Sequence, residues 1–184
     1  NRAGLWALAL VLLAAVPGAR AQDAAKPAAA EPTPSMTIYG FAMLDIGQNF
    51  TQIHPDWFDT MRVSKLPSYD KQYGEDGSTF AGVRQTRFGV RAMTPAGGQD
   101  LNVKFEIDMF GTGGDAGQTT IRLRHAWGEW GAFGAGQTNS PFDDGDVWPN
   151  SLEYWGPSGM VFFRNVQVRW TPVKGTHTAM IAIE

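Results

Sequence analysis

The chain has 184 residues, 43% hydrophobic and 18% charged, with 22 Gly, 7 Trp, 11 Phe and no Cys. Fifteen Lys and Arg against 18 Asp and Glu leave a formal charge of −3, which excludes a clearly basic nucleic-acid binder, and the absence of Cys excludes a disulfide scaffold. Aromatic and Gly enrichment with so few charges also argues against a helical or α/β enzyme. The first residue is Asn1 rather than Met, and Glu184 stops inside an alternating apolar run, so a fragment of a longer chain is expected.

At the N-terminus Arg2 precedes an apolar run from Leu5 to Val16, followed by Pro17-Gly18 and the small-x-small triplet Ala19-Arg20-Ala21. This layout predicts a secretory signal peptide over residues 1–21. The run falls short of the roughly 20 apolar residues of a membrane helix; a short buried helix is the alternative. Removing residues 1–21 takes away Arg2 and Arg20, so the mature charge is 13 − 18 = −5. Residues 22–36 are Ala-rich with Pro27, Pro32 and Pro34, a composition that reads as an extended linker.

From Thr37 onward the pattern has period two rather than 3.6. Thr37 to Gly47 opens the series. In Gln85 to Met93, Phe88 and Val90 oppose Arg87, Gly89 and Arg91. Leu101 to Phe110 is the clearest strand, with Leu101, Val103, Phe105, Ile107 and Met109 facing away from Asn102, Lys104, Glu106 and Asp108. In the next, Ile121, Leu123 and Trp127 oppose Arg122 and Arg124, and His125 interrupts the apolar face. Ala132 to Thr138 follows, then Val166, Val168 and Trp170 opposite Asn165, Gln167 and Arg169, and finally Thr176 to Glu184. About seven strands result.

The connections alternate in length. They are long at Gln48 to Gly82, short at Thr94 to Asp100, intermediate at Gly111 to Gln118, very short at Gly131, long at Asn139 to Gly159 and short at Pro172 to Gly175. Short turns at one end and long loops at the other are the mark of a transmembrane β-barrel, whose strands run to roughly 9–11 residues. The predicted class is therefore all-β, an antiparallel transmembrane β-barrel left incomplete by this chain, in the outer membrane of a Gram-negative bacterium. Trp127, Trp130 and Trp170 would form its interfacial girdles. A secreted β-sandwich binding module is the soluble alternative, with strands nearer 5–6 residues.

If the apolar faces meet lipid, the lumen receives a basic ladder of Arg87, Arg91, Lys104, Arg122, Arg124 and Arg169, with Glu106, Asp108 and Asp45 as its acidic members. Such a ladder would concentrate anions in a narrow channel; alternatively the cations only pair with the neighbouring carboxylates. The loop Asn139 to Gly159 carries Asp143, Asp144, Asp146 and Glu153. Folded inward, it would set these carboxylates against the ladder at a constriction. The other readings are a solvated outer loop or a weak Ca²⁺ site lacking the usual ligand spacing. Gln48 to Gly82 reads as an outer loop.

Enzymatic signals are poor: His54, His125 and His177 have no metal-ligand spacing and no nucleophile motif beside them. An outer-membrane barrel hydrolase is kept as an alternative. Gly111-Thr-Gly113-Gly-Asp-Ala116 matches a dinucleotide fingerprint only formally, since a strand rather than a helix follows. No cofactor or metal and no nucleic-acid partner is expected.

The residues resemble bacterial outer-membrane porins, most closely the DcaP-like trimeric porins. The likeness rests on Ile38-Tyr39-Gly40-Phe41, on Gln85-Thr86-Arg87-Phe88-Gly89-Val90-Arg91, on Leu123-Arg124-His125-Ala126-Trp127, and on Gly134-Ala135-Gly136-Gln137-Thr138-Asn139-Ser140-Pro141-Phe142. It covers residues 37–184. The resemblance implies a 16-stranded barrel, a homotrimer embedded among outer-membrane lipid and lipopolysaccharide, and passive uptake of small, preferentially anionic solutes such as dicarboxylates. Members can carry a coiled coil before the barrel; residues 22–36 show no heptads.

Overall fold

Residues that alternate at period two can bury one face only by giving the other a different solvent, and the chain does this in a single layer. A computed structural model describes residues 33–60, 62–111, 119–150 and 162–184. The expected signal peptide, most of the linker and residues 112–118 lie outside these. The strands are β1 (Ser35–Phe41), β2 (Asp45–Asn49), β3 (Ser78–Gly82), β4 (Arg87–Ala96), β5 (Gln99–Asp108), β6 (Arg122–Trp130), β7 (Phe133–Asn139), β8 (Arg164–Val173) and β9 (Ala179–Ile183). Seven of them make one sheet in the order β1-β4-β5-β6-β7-β8-β9, every neighbouring pair antiparallel, while β2 and β3 form a separate hairpin.

Connection lengths sort by end, as the sequence predicts: residues 97–98, 131–132 and 174–178 are tight turns, whereas 42–86, 109–121 and 140–163 are long. Gly97 and Gly98 both have positive φ, 60° and 80°, the type I′ geometry whose twist matches that of the flanking strands. The first strand departs from expectation. Thr37 to Gly47 breaks after Phe41, and Asp45–Asn49 pairs with Ser78–Gly82 instead of continuing the sheet, so the expected outer loop contains a hairpin. Asp45, expected in the lumen, sits on that hairpin and accepts a 3.0 Å hydrogen bond from Gln85 Nε2.

The two faces of the seven-stranded sheet differ sharply. One exposes Ile38, Phe88, Val103, Phe105, Leu123, Val166 (71%), Val168 (61%) and Ile183. Register places Leu101, Trp130, Phe133, Trp170 and Ile181 side by side at the short-turn end, an aromatic row of the kind that sits at a membrane interface. Among the described residues only Phe110 and Trp127 are buried apolar side chains. A soluble sandwich interdigitates two apolar inner faces; here no described element forms a second layer over the apolar one. A sheet so built is stable only with hydrocarbon against it, where a Lys in place of Val103 or Phe105 would cost about 2–4 kcal/mol.

Strand β6 holds a register shift opposite Glu106 and Ile107: Glu106 pairs with His125, Ile107 with Leu123, and Arg124 is the extra residue. A bulge of this kind turns two consecutive side chains to one face. Arg124 and His125 therefore both lie on the polar face, 6% and 4% exposed. The shift also reverses the phase beyond it. Trp127, expected on the apolar face as a girdle residue, is instead buried on the polar face, with the Arg169 guanidinium 5.1 Å above its ring.

Candidate functional site

The polar face gathers the basic ladder around two carboxylates. Directly opposed residues across the ladder run Tyr39, Gly89, Glu106 and His125 in one row, and Phe41, Arg87, Asp108 and Arg122 in the next. Glu106 is buried and accepts hydrogen bonds from Tyr39 Oη at 2.7 Å and Arg124 Nε at 2.6 Å. Arg87 Nε at 3.6 Å, Lys104 Nζ at 3.8 Å and His125 Nε2 at 3.8 Å complete its surroundings. Asp108, equally buried, accepts from Arg122 Nε at 3.0 Å, Arg122 Nη2 at 2.6 Å and Arg124 Nη1 at 2.9 Å, and from the Phe110 backbone N–H at 3.1 Å. Arg124 thus bridges both carboxylates. Charge-assisted bonds of this kind are the strong ones, and they fix guanidinium planes as well as charge.

The six basic residues fall into two groups. Arg122 and Arg124 are held by carboxylates, and Arg87 and Lys104 approach Glu106 from further off. Arg91 lies 4.6 Å over the Tyr39 ring and is exposed. Arg169 donates to Gln167 Oε1 from Nε at 3.0 Å, to the Asn139 carbonyl from Nη2 at 2.6 Å, and stacks on Trp127. Among the described residues neither Arg91 nor Arg169 has a carboxylate within 4 Å, although Glu129 and Glu184 act on Arg169 from further off. Each is held by an aromatic ring, which orients a cation without cancelling its charge. For this stretch of wall the six ladder cations stand against Glu106, Asp108 and, at the β9 edge, Glu184, or 6 − 3 = +3. Glu129, on the same face, is paired with Lys174.

The connection from β7 to β8 turns toward this wall. Ser140 N–H bonds the Phe163 carbonyl at 2.9 Å, closing the base of the loop. Trp148 and Phe162 meet edge to face at 4.8 Å and, with Gln85, Arg87 and Arg124, line a cavity of about 250 Å³. Asp144 caps the short 3₁₀ turn Gly145–Val147 through the Asp146 N–H at 3.1 Å, and Asp146 is exposed. Asp143 is half-buried; burial pushes its carboxyl above the usual range, Arg164 opposing and Asp144 adding to the effect. Glu153 lies outside the described residues. Among the described residues no group of His, Cys, Asp and Glu has the number and spacing to hold a metal ion.

At the long-loop end sits a pair that the sequence does not announce. Arg84 and Asp59 are both 2% exposed. Arg84 Nε donates to Oδ1 and Oδ2 of Asp59 at 3.0 and 2.9 Å, and its Nη2 donates to the Asp56 carbonyl at 2.9 Å. Its guanidinium lies 4.3 Å from the Phe110 ring centroid, while Trp57 contacts that ring at 5.2 Å and Arg122 lies 5.2 Å over it. The loop before β4 is therefore clamped onto the end of β5, beside the Asp108 cluster.

The family model for the DcaP outer membrane protein matches residues 17–184. No curated protein matches the chain. Among solved structures, the crystal structure of the outer membrane channel DcaP of Acinetobacter baumannii superposes with a TM-score of 0.66 at 24% sequence identity, covering 82% of this chain. The chain spans 41% of that protein's length. The expected fold class and location are borne out: this chain belongs to the DcaP outer membrane protein family, and its antiparallel sheet is transmembrane β-barrel wall of the Gram-negative outer membrane.

Proposed function

We propose that the protein is a porin through which small hydrophilic solutes diffuse passively, with a preference for anions such as dicarboxylates. The single observation that carries this is the excess of cations on the polar face, where Tyr39 and Trp127 orient Arg91 and Arg169 and no described carboxylate lies within 4 Å of either. In a channel with low-dielectric walls such an excess raises the local anion concentration. The β7–β8 connection supports a constriction, because Trp148 and Phe162 share a cavity with Arg87 and Arg124. Residues 1–21 would be the export signal, residues 22–36 a periplasmic linker, and the complete barrel a 16-stranded homotrimer bordered by lipopolysaccharide. Reversal potentials of the full-length protein in planar bilayers test the preference. A permeability ratio favouring anions is expected, and a ratio favouring cations would overturn it.

A further inference from the structure

The β6–β7 ladder ends at Ala126 and Gln137, directly beside the bulge. Beyond that point the strands are joined by side chains. On the polar side His125 Nδ1 and Thr138 Oγ1 lie 2.9 Å apart. On the apolar side Gln137, in register with Ala126 and Val166, turns its amide back along the sheet. Its Nε2 donates to the Leu123 carbonyl at 3.1 Å and to the Arg124 carbonyl at 3.4 Å. Both carbonyls belong to the bulge and its flank, beyond the last β6–β7 pair. In hydrocarbon an unpaired carbonyl is costly, and so is a lone side-chain amide. Each satisfies the other here.

We propose that Gln137 is a positioning residue for the channel's selectivity, acting through the bulge that places Arg124 between Glu106 and Asp108. Gln137 touches no solute path. It holds the backbone whose extra residue aims the Arg124 guanidinium at both carboxylates, from the side of the wall that faces lipid. Without the amide, the cheapest way to satisfy the two carbonyls is to let the bulge migrate or close, and either movement withdraws Arg124 from its bridge. The cluster's field at the channel axis then changes although no charged residue has been altered.

This inference rests on the porin reading, and the test separates the two. The full-length wild-type protein must first conduct with anion preference; if it does not, the porin reading fails by itself. Gln137→Leu keeps the size and suits lipid but cannot donate. It is expected to form a folded, heat-modifiable barrel whose anion-to-cation permeability ratio changes about two- to threefold, as for a unit charge displaced by a few ångströms near a permeant ion. In an Arg124→Ala background the same substitution should have no further effect. Gln137→Asn, whose amide falls short by one methylene, should give a partial change. A folded Gln137→Leu barrel with wild-type selectivity overturns the proposal, and so does an additive effect in the Arg124→Ala background. If neither Gln137 variant folds, the amide supplies stability rather than positioning, and the proposal is likewise overturned.

Discussion

Glu106→Gln separates the structural role of the charged cluster from its field. The substitution keeps the shape and an acceptor for Tyr39 but removes the one carboxylate within 4 Å of Arg87, Lys104, Arg124 and His125 together. Removing one partner of a buried ion pair typically costs about 3–5 kcal/mol, because the remaining charge loses its compensation. Arg124 keeps its bond to Asp108, so the lower end, about 3 kcal/mol, is the expected loss. The effect on permeation has the opposite sign. The local balance becomes more positive by one, and a unit charge roughly 7 Å from a passing ion is worth about 0.6 kcal/mol in water, near half of that after screening at 0.1 M salt. Acting on anions and cations in opposite directions, this raises the anion-to-cation permeability ratio about threefold. Denaturant unfolding of the detergent-solubilised barrel and reversal potentials in planar bilayers measure the two quantities. Unchanged stability, or a shift toward cations, would refute the reasoning.

Other expectations follow from single contacts. Arg91→Gln should lower the anion preference about twofold while changing stability by less than about 0.5 kcal/mol, since Arg91 is exposed and holds no carboxylate. Arg124→Gln, by contrast, should cost about 3 kcal/mol in denaturant unfolding. Asp59→Asn leaves the Arg84 guanidinium buried without its counter-ion. Limited proteolysis should then nick the 42–86 connection well before the barrel unfolds, and equal resistance in the variant would contradict the clamp. Asp143 has a carboxyl value raised by burial. The folded loop therefore holds its proton to higher pH than the unfolded chain does. That contribution is full at low pH and fades as pH rises through the raised value. Hydrogen exchange across 140–150 should show protection falling from acidic to neutral pH, and Asp143→Asn should remove the dependence.

Much of the wall is legible in the sequence because a strand with lipid on one side and charge on the other must alternate strictly. Leu101 to Phe110 shows β5 within two residues, and the length of each connection indicates which end of the sheet it occupies. The misreadings in β6 share one cause. A single extra residue at Arg124 reverses the phase, so His125 looks like a polar intruder and Trp127 like a lipid-facing aromatic. The interruption at His125 was itself the trace of the bulge. The first strand reads too long because Asp45 to Asn49 also alternates, and its partner at Ser78–Gly82 is set by tertiary pairing across a long loop. Arg84 and Asp59 lie 25 residues apart in segments without a repeating pattern, so no local pattern could join them. Parity alone picks out the ladder residues, but it cannot tell a cation held by a carboxylate from one held by a ring.

The bulge in β6 also decides where this wall can change length. A deletion inside a regular strand moves every later side chain to the opposite face, sending charge into lipid and hydrocarbon into the channel. At Arg124 or His125 the loss of one residue instead leaves a strand in continuous phase, with Leu123 and Ala126 still toward lipid and the remaining one of the pair opposite Glu106. Single-residue deletions at these two positions should therefore yield an inserted barrel, whereas deletion of Val103 in β5 should not. The extra residue lets the charge count of β6 change by whole residues without rewriting its pattern.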